Sequence, residues 1–157
     1  CGASKYILAN CRIIVDPQNY PVAAVEYLQK NNVSGRLLLP MEWGEYAIWK
    51  LHPACMVSID GRFRTVYPES VIQHHFVHEQ DVQGWKTLLE KYPADIILAR
   101  QTDFFQNMIK KGGSWIYIYS DPTAILFLHE SEKNKKIIQR FQAGRFVPAG
   151  SPSIYFP

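Results

Sequence analysis

Short apolar runs alternate with helix-period segments along most of this chain, and the alternation predicts its order of elements. Arg12 to Val15 is a β-branched run stopped by Asp16 and Pro17, so it reads as a first strand. Pro21 suits the opening turn of a helix reaching about Asn31, with Ala24, Val25 and Leu28 on its buried side. Arg36 to Leu39 reads as a strand after Gly35, Glu42 to Leu51 as a helix closed by His52 and Pro53, and Cys55 to Ile59 as a third strand.

A longer insertion follows Asp60. Pro68 to about Glu79 and Gly84 to Tyr92 both read as helices; in the second, Trp85, Leu88, Leu89 and Tyr92 recur at the spacing of one buried stripe. Asp95 to Ala99 is the next strand, and Asp103 can cap a helix that buries Phe104, Phe105, Met108 and Ile109 before Gly112 and Gly113. Trp115 to Tyr119 and Ala124 to Leu128 are joined only by Ser120, Asp121, Pro122 and Thr123, a link that demands an antiparallel hairpin. In its first arm Trp115, Tyr117 and Tyr119 alternate with Ile116 and Ile118, which predicts an aromatic outer face and an aliphatic inner one. Glu132 to Phe141 forms a last helix.

Alternating strands and helices followed by a hairpin imply an α/β fold, a three-layer sandwich whose mainly parallel sheet carries an antiparallel hairpin at one edge. Residues 1–143 read as one α/β domain, with 144–157 as a C-terminal tail rich in Pro, Gly and Ser. The length of 157 residues suffices for a self-supporting core. With 47% hydrophobic and 20% charged residues, the chain belongs among globular domains and not among disordered ones.

A formal charge of +3 is too small and too dispersed for a nucleic-acid footprint, so no nucleic-acid partner is expected. The one basic cluster, Lys133, Lys135, Lys136 and Arg140, has helical spacing and reads as a solvated face. Cys1, Cys11 and Cys55 form no CxxC motif, and Cys55 opens an apolar strand as a buried thiol would. No apolar run reaches the length of a membrane span. The first residue is Cys, not Met, so the chain reads as a processed product or a piece of something larger; a mature lipoprotein would also begin with Cys.

The candidate chemistry lies where two strands end. Leu37 to Leu39 opens into Pro40, Glu42, Trp43 and Gly44, and Met56 to Ile59 opens into Asp60, Gly61 and Arg62. If those strands are parallel neighbours, both turns share the carboxyl edge, where open α/β sheets bind ligands. Asp60 and Arg62 are suited to a sugar hydroxyl, a phosphate or a carboxylate. The structural alternative has Asp60 capping its turn while Arg62 pairs with Glu42 or Glu69. Trp43, Tyr46 and Trp49 are a stacking platform if exposed and core if buried. His74 and His78, four apart, are too few for a metal site on their own. There is no GxGxxG, GxxxxGK[ST] or GxSxG motif, so a self-contained nucleotide-dependent enzyme is disfavoured and no cofactor or metal is expected.

Several motifs recur in a suggestive order: YPVAAVEYLQKNNVSGRLLLPMEWGEYAIWKL, a strand ending in IDGRFRTVYP, then GWKTLLEKYPADIIL and SWIYIYSDPTAILFL. From Tyr20 to Glu130 the chain resembles the soluble C-terminal domain that follows the transmembrane helices in bacterial polytopic membrane proteins of the GT-C glycosyltransferase type, relatives of the dolichyl-phosphate-mannose protein mannosyltransferases. The Trp43-Gly44 turn, Asp60-Gly61-Arg62 with Tyr67, and the Trp115 hairpin with Asp121 carry the resemblance. It implies an extracytoplasmic accessory domain whose partners are the transmembrane portion of a parent protein and a glycan or lipid-linked sugar. No catalytic residue is carried over; Glu42, Trp43, Asp60, Arg62 and Tyr67 are the expected ligand contacts. The competing expectations are a stand-alone α/β enzyme acting on a sugar or phosphate substrate and an envelope lipoprotein interaction module.

Overall fold

The computed structural model describes residues 14–78, 82–101 and 113–150. Five strands form one sheet: β1 (Gly35–Leu38), β2 (Cys55–Val57), β3 (Ile96–Arg100), β4 (Trp115–Ser120) and β5 (Ala124–His129), in the order β2-β1-β3-β5-β4. β1 pairs in parallel with β2 and β3, with Leu37 opposite both Val57 and Ile96. β5 runs antiparallel to β3 on one side and to β4 on the other, so it alone is reversed. The helices are α1 (Val22–Lys30), α2 (Met41–Leu51), α3 (Glu69–His78), α4 (Val82–Lys91) and α5 (Lys135–Gln142).

Both sheet faces are covered, which is why the central strands read as unbroken apolar runs instead of alternating ones. Leu37, Ile96, Leu98, Leu126 and Leu128 pack against Val25 and Leu28 of α1, Trp43 and Ala47 of α2, and Ile138 of α5. Leu38, Ile97, Ala99, Ile125 and Phe127 pack on the opposite face against Trp85 and Leu88 of α4. The fold is thus the α/β sandwich that the alternation implies. Half of the strand expected from Arg12 to Val15 lies outside the described residues; in the other half Ile14 makes a single bridge. The helix expected from Asp103 lies outside them entirely. Among the described residues no helix is long and apolar enough to cross a membrane.

The hairpin forms, but its faces are not sorted as expected. A register shift between Tyr117 and Tyr119 interrupts the β4–β5 ladder. Such a bulge re-aims the side chains beyond it. Trp115 therefore packs on the α4 side, whereas Tyr119 joins Ile116 and Ile118 on the α1 side. There its ring lies 4.8 Å from that of Tyr27, whose hydroxyl donates to the Ile118 carbonyl. Asp121 shapes the turn by accepting from the backbone N–H groups of Thr123 and Ala124, each at 2.8 Å.

Segment 144–150 is fastened to the end of α1. Asn31 is fully buried, donates through Nδ2 to the carbonyls of Tyr27 and Val147, and accepts from the Val147 N–H. The basic cluster is less uniform than its helical spacing suggests. Lys133 precedes α5 and bonds Asp95, and Arg140 donates to the Asn31 carbonyl. Cys55 is a buried, unbridged thiol whose pKa burial pushes up to about 11.

Two glycines sit where a methyl group has no room. A Cβ on Gly44 would stand 2.2 Å from the Ile59 carbonyl oxygen and 2.6 Å from the Asp60 Cα. One on Gly35, at φ +148°, would stand 2.8 Å from the Asp95 Cβ. Gly44 is inside α2, where helix propensity alone favours Ala by about 1 kcal/mol. The backbone contact reverses that sign, since parting α2 from the Asp60 turn costs about 1–3 kcal/mol. Gly44→Ala should therefore lower the urea midpoint with an unchanged slope; an unchanged or higher midpoint would show that α2 does not press on that turn.

Candidate functional site

Because β2, β1 and β3 are parallel neighbours, Glu42 and Trp43, the Asp60 turn, and Arg100 at the end of β3 all project from one edge of the sheet. The structure assembles them into two clusters. In the first, Asp60 is fully buried and accepts four hydrogen bonds. Its Oδ1 takes the backbone N–H of Arg62 (2.9 Å) and the Arg62 Nε (2.8 Å); its Oδ2 takes Arg62 Nη2 (2.7 Å) and the Tyr67 hydroxyl (2.6 Å). This forked guanidinium–carboxylate pairing is the strong, directional form of an ion pair.

The electrostatics follow from those contacts. The Arg62 guanidinium draws the Asp60 carboxyl down to about 2, with Tyr67 and the Arg62 backbone assisting against the opposing effect of burial. Burial, then the bond to Asp60, pushes the Tyr67 phenol up to about 12. Near neutral pH Asp60 is an ion and Tyr67 a neutral donor. Neither has a proton equilibrium that acid–base catalysis could use. The intervening loop carries Phe63 at φ +45°, a left-handed conformation that costs a bulky residue on the order of 1 kcal/mol and persists only where neighbours impose it. Phe63 is exposed and stacks on Phe76 with ring centroids 6.0 Å apart.

The second cluster joins Glu42, Trp43 and Arg100. Arg100 donates to Glu42 while its guanidinium lies 4.8 Å from the centre of the Trp43 ring. Trp43 is fully buried, and its Nε1 donates to the Asn19 carbonyl at 2.9 Å. Tyr46 is also buried and Trp49 partly so, which makes these rings core and not an open stacking platform.

The alternative partners expected for Arg62 are both taken by other arginines. Arg62 closes on Asp60 two residues away, leaving Glu42 to Arg100 and Glu69 to Arg64. The reason is geometric: the turn brings the Asp60 carboxylate back over its own chain, nearer to Arg62 than a separate helix can come. Arg100 had a legible signal, as the charged residue ending the DIILAR run. His74 accepts from Lys91 Nζ at 2.9 Å and lies 3.2 Å from the Tyr92 hydroxyl, which ties α3 to α4. Among the described residues no group of three His, Cys, Asp or Glu side chains is placed to hold a metal ion.

The other end of the sheet holds a second concavity that sequence reasoning missed. A cavity of about 460 Å³ opens beside Asp95, Arg36, Lys133, Trp115 and His129. It adjoins one of about 320 Å³ lined by Met56, Ser58, Lys91 and Tyr92, and the two share Arg36, Pro93 and Ala94. Asp95 is nearly buried; its Oδ2 accepts from the Arg36 backbone N–H at 2.8 Å and from Lys133 Nζ at 2.5 Å. Burial raises its pKa, but these donors outweigh that effect and hold it below the ordinary carboxylate value. No protein-family model matches this chain, and no curated protein or solved structure matches it significantly.

The Asp60 contacts have a pH signature. The folded pKa of about 2 lies below the ordinary 3.8, so the ionised carboxylate contributes on the order of 2 kcal/mol at pH values above about 4. That contribution is lost as pH falls from 4 toward 2. Asp60→Asn should consequently be less stable than the wild type at pH 7 by more than at pH 2.5, as read from urea unfolding at both values. A gap independent of pH would mean that the charge is not what stabilises the turn. Arg62→Ala should be clearly destabilising in the same assay, because it strands the buried Asp60 carboxylate. Tyr67→Phe should cost about 1–2 kcal/mol in the same assay. Losses below about 0.5 kcal/mol for both would contradict the network.

Proposed function

We propose that this chain is a non-catalytic recognition domain of a larger membrane-bound, glycosyltransferase-like protein, lying on the extracytoplasmic side and orienting an acceptor or a lipid-linked sugar for chemistry performed elsewhere in the parent. The observation that carries the non-catalytic part is the state of Asp60. Asp60, which its turn delivers to the carboxyl edge, is buried, ionised and saturated by Arg62 and Tyr67. Such a carboxylate fixes a loop; it does not exchange protons with a substrate. Arg62 is held by two of its nitrogens yet keeps 54% of its side chain exposed, so the network presents a pre-oriented cation at the edge. Preorganisation of this kind lowers the entropic cost of binding. The membrane and glycosyltransferase context rests on the motif resemblance between Tyr20 and Glu130.

Glu42 and Arg100, each about half exposed, present a second charged pair on the same edge, beside the buried Trp43. Positioning a reactant supplies rate enhancement without any reacting group on the domain itself. The purified chain should give no turnover with lipid-phosphate or nucleotide sugars, whereas removing it from the full-length parent should reduce transfer or alter acceptor choice. Turnover by the isolated chain that is abolished by Asp60→Asn would replace this reading with a stand-alone enzyme.

A further inference from the structure

The concavity at the amino ends of β1 and β3 plays no part in the carboxyl-edge reading. Four separate stretches build it: Arg36 on β1, Asp95 just before β3, Trp115 with His129 across the β4–β5 ladder, and Lys133 after β5. Its lining carries two cations, Arg36 and Lys133, and two carboxylates, Asp95 and Glu90. Lys133 Nζ lies 2.5 Å from Asp95 Oδ2 and Arg36 Nε lies 3.7 Å from the same oxygen, so one carboxylate answers two cations. Both cations remain over half exposed, at 59% and 53% of their side chains. Glu90 stands exposed on the rim. The exposed side chains of Arg36 and Lys133 converge there, and such cations form charge-assisted hydrogen bonds to an anion.

The remaining wall is mixed, with Leu89, Pro93 and Ala94 beside Trp115, His129 and Ser131. Trp115 is half-buried with its ring 4.9 Å from that of His129, and Ser131 lines the same space. Half-buried tryptophan offers a flat apolar contact beside polar groups that take hydroxyls. The volume of about 460 Å³ lies at the lower end for small-molecule sites, enough for one ring and not for an extended chain. We propose that this basin binds a single sugar ring carrying one anionic substituent, a sugar acid or a sugar phosphate. Arg36 and Lys133 hold the anion, Trp115 packs on the ring, and His129 takes a hydroxyl. Asp95 keeps the two cations in place as a positioning residue.

Calorimetric titration of the purified chain with glucuronate, glucose 6-phosphate, glucose and inorganic phosphate tests the proposal. At least one of the two anionic sugars should bind about tenfold more tightly than both glucose and phosphate. Whichever of the two is tighter identifies carboxylate or phosphate as the anion. Lys133→Gln and Trp115→Ala should each weaken that sugar about tenfold, and Lys133→Arg should restore binding. Thermal unfolding of each variant identifies one that has lost its fold; the binding result is then read from the other. Binding of neither anionic sugar at millimolar concentration, phosphate alone binding as tightly as glucose 6-phosphate, or binding unchanged in the folded variants would each overturn the assignment. Any of these failures leaves the carboxyl-edge reading standing, because Asp60 and Arg62 lie at the opposite end of the strands.

Discussion

A carboxylate taken out of water as an ion must find replacement donors, and this fold meets that requirement twice, once at each end of its sheet. Asp60 at the carboxyl edge is fully buried and Asp95 at the amino edge nearly so. Each is backed by a glycine with no room for a side chain, Gly44 against Asp60 and Gly35 against Asp95. Each also ties other parts of the chain to itself, Asp60 locally and Asp95 over long sequence distances. Asp60 binds the loop through Arg62 and Tyr67, while Asp95 draws together the start of β1 and the approach to α5, where Asn134 donates to the Asp95 carbonyl. The apolar layers supply the bulk of the stability, and these two ions set where the strands and loops meet.

That division bears on function. A carboxylate saturated by arginine is a poor proton carrier, but it makes a neighbouring cation rigid. At the carboxyl edge the result is a half-exposed Arg62 held from behind; at the amino edge it is a pair of cations converging beside Trp115. Both arrangements hold charged side chains in fixed positions at the surface, which lowers the cost of ordering them in any contact they make.

Much of the fold is legible in the sequence because burial on two sheet faces and on single helix stripes leaves distinct periodicities. Val25 and Leu28, Trp85 and Leu88, and the uninterrupted Ile96 to Ala99 run announce their elements. What periodicity does not carry is curvature. The bulge that turns Tyr119 inward follows from the β4–β5 register, and the closure of Arg62 on Asp60 lies within one short turn that has no periodic signature. The shared edge of Glu42 and Asp60 could be inferred from the parallel strands, although their partners could not. The amino-edge basin was illegible for a different reason: Arg36, Asp95, Trp115 and Lys133 are far apart in sequence and meet only once β5 is inserted between β3 and β4.

The central claim is that Asp60 is a permanently ionised structural anchor. Its most direct test is the carbon-13 chemical shift of the Asp60 side-chain carboxyl followed through an acid titration of the folded chain. The account predicts a midpoint near 2, shifted upward when Tyr67 is replaced by Phe. A midpoint at or above the ordinary 3.8 would contradict it and return Asp60 to the list of groups able to exchange protons with a substrate.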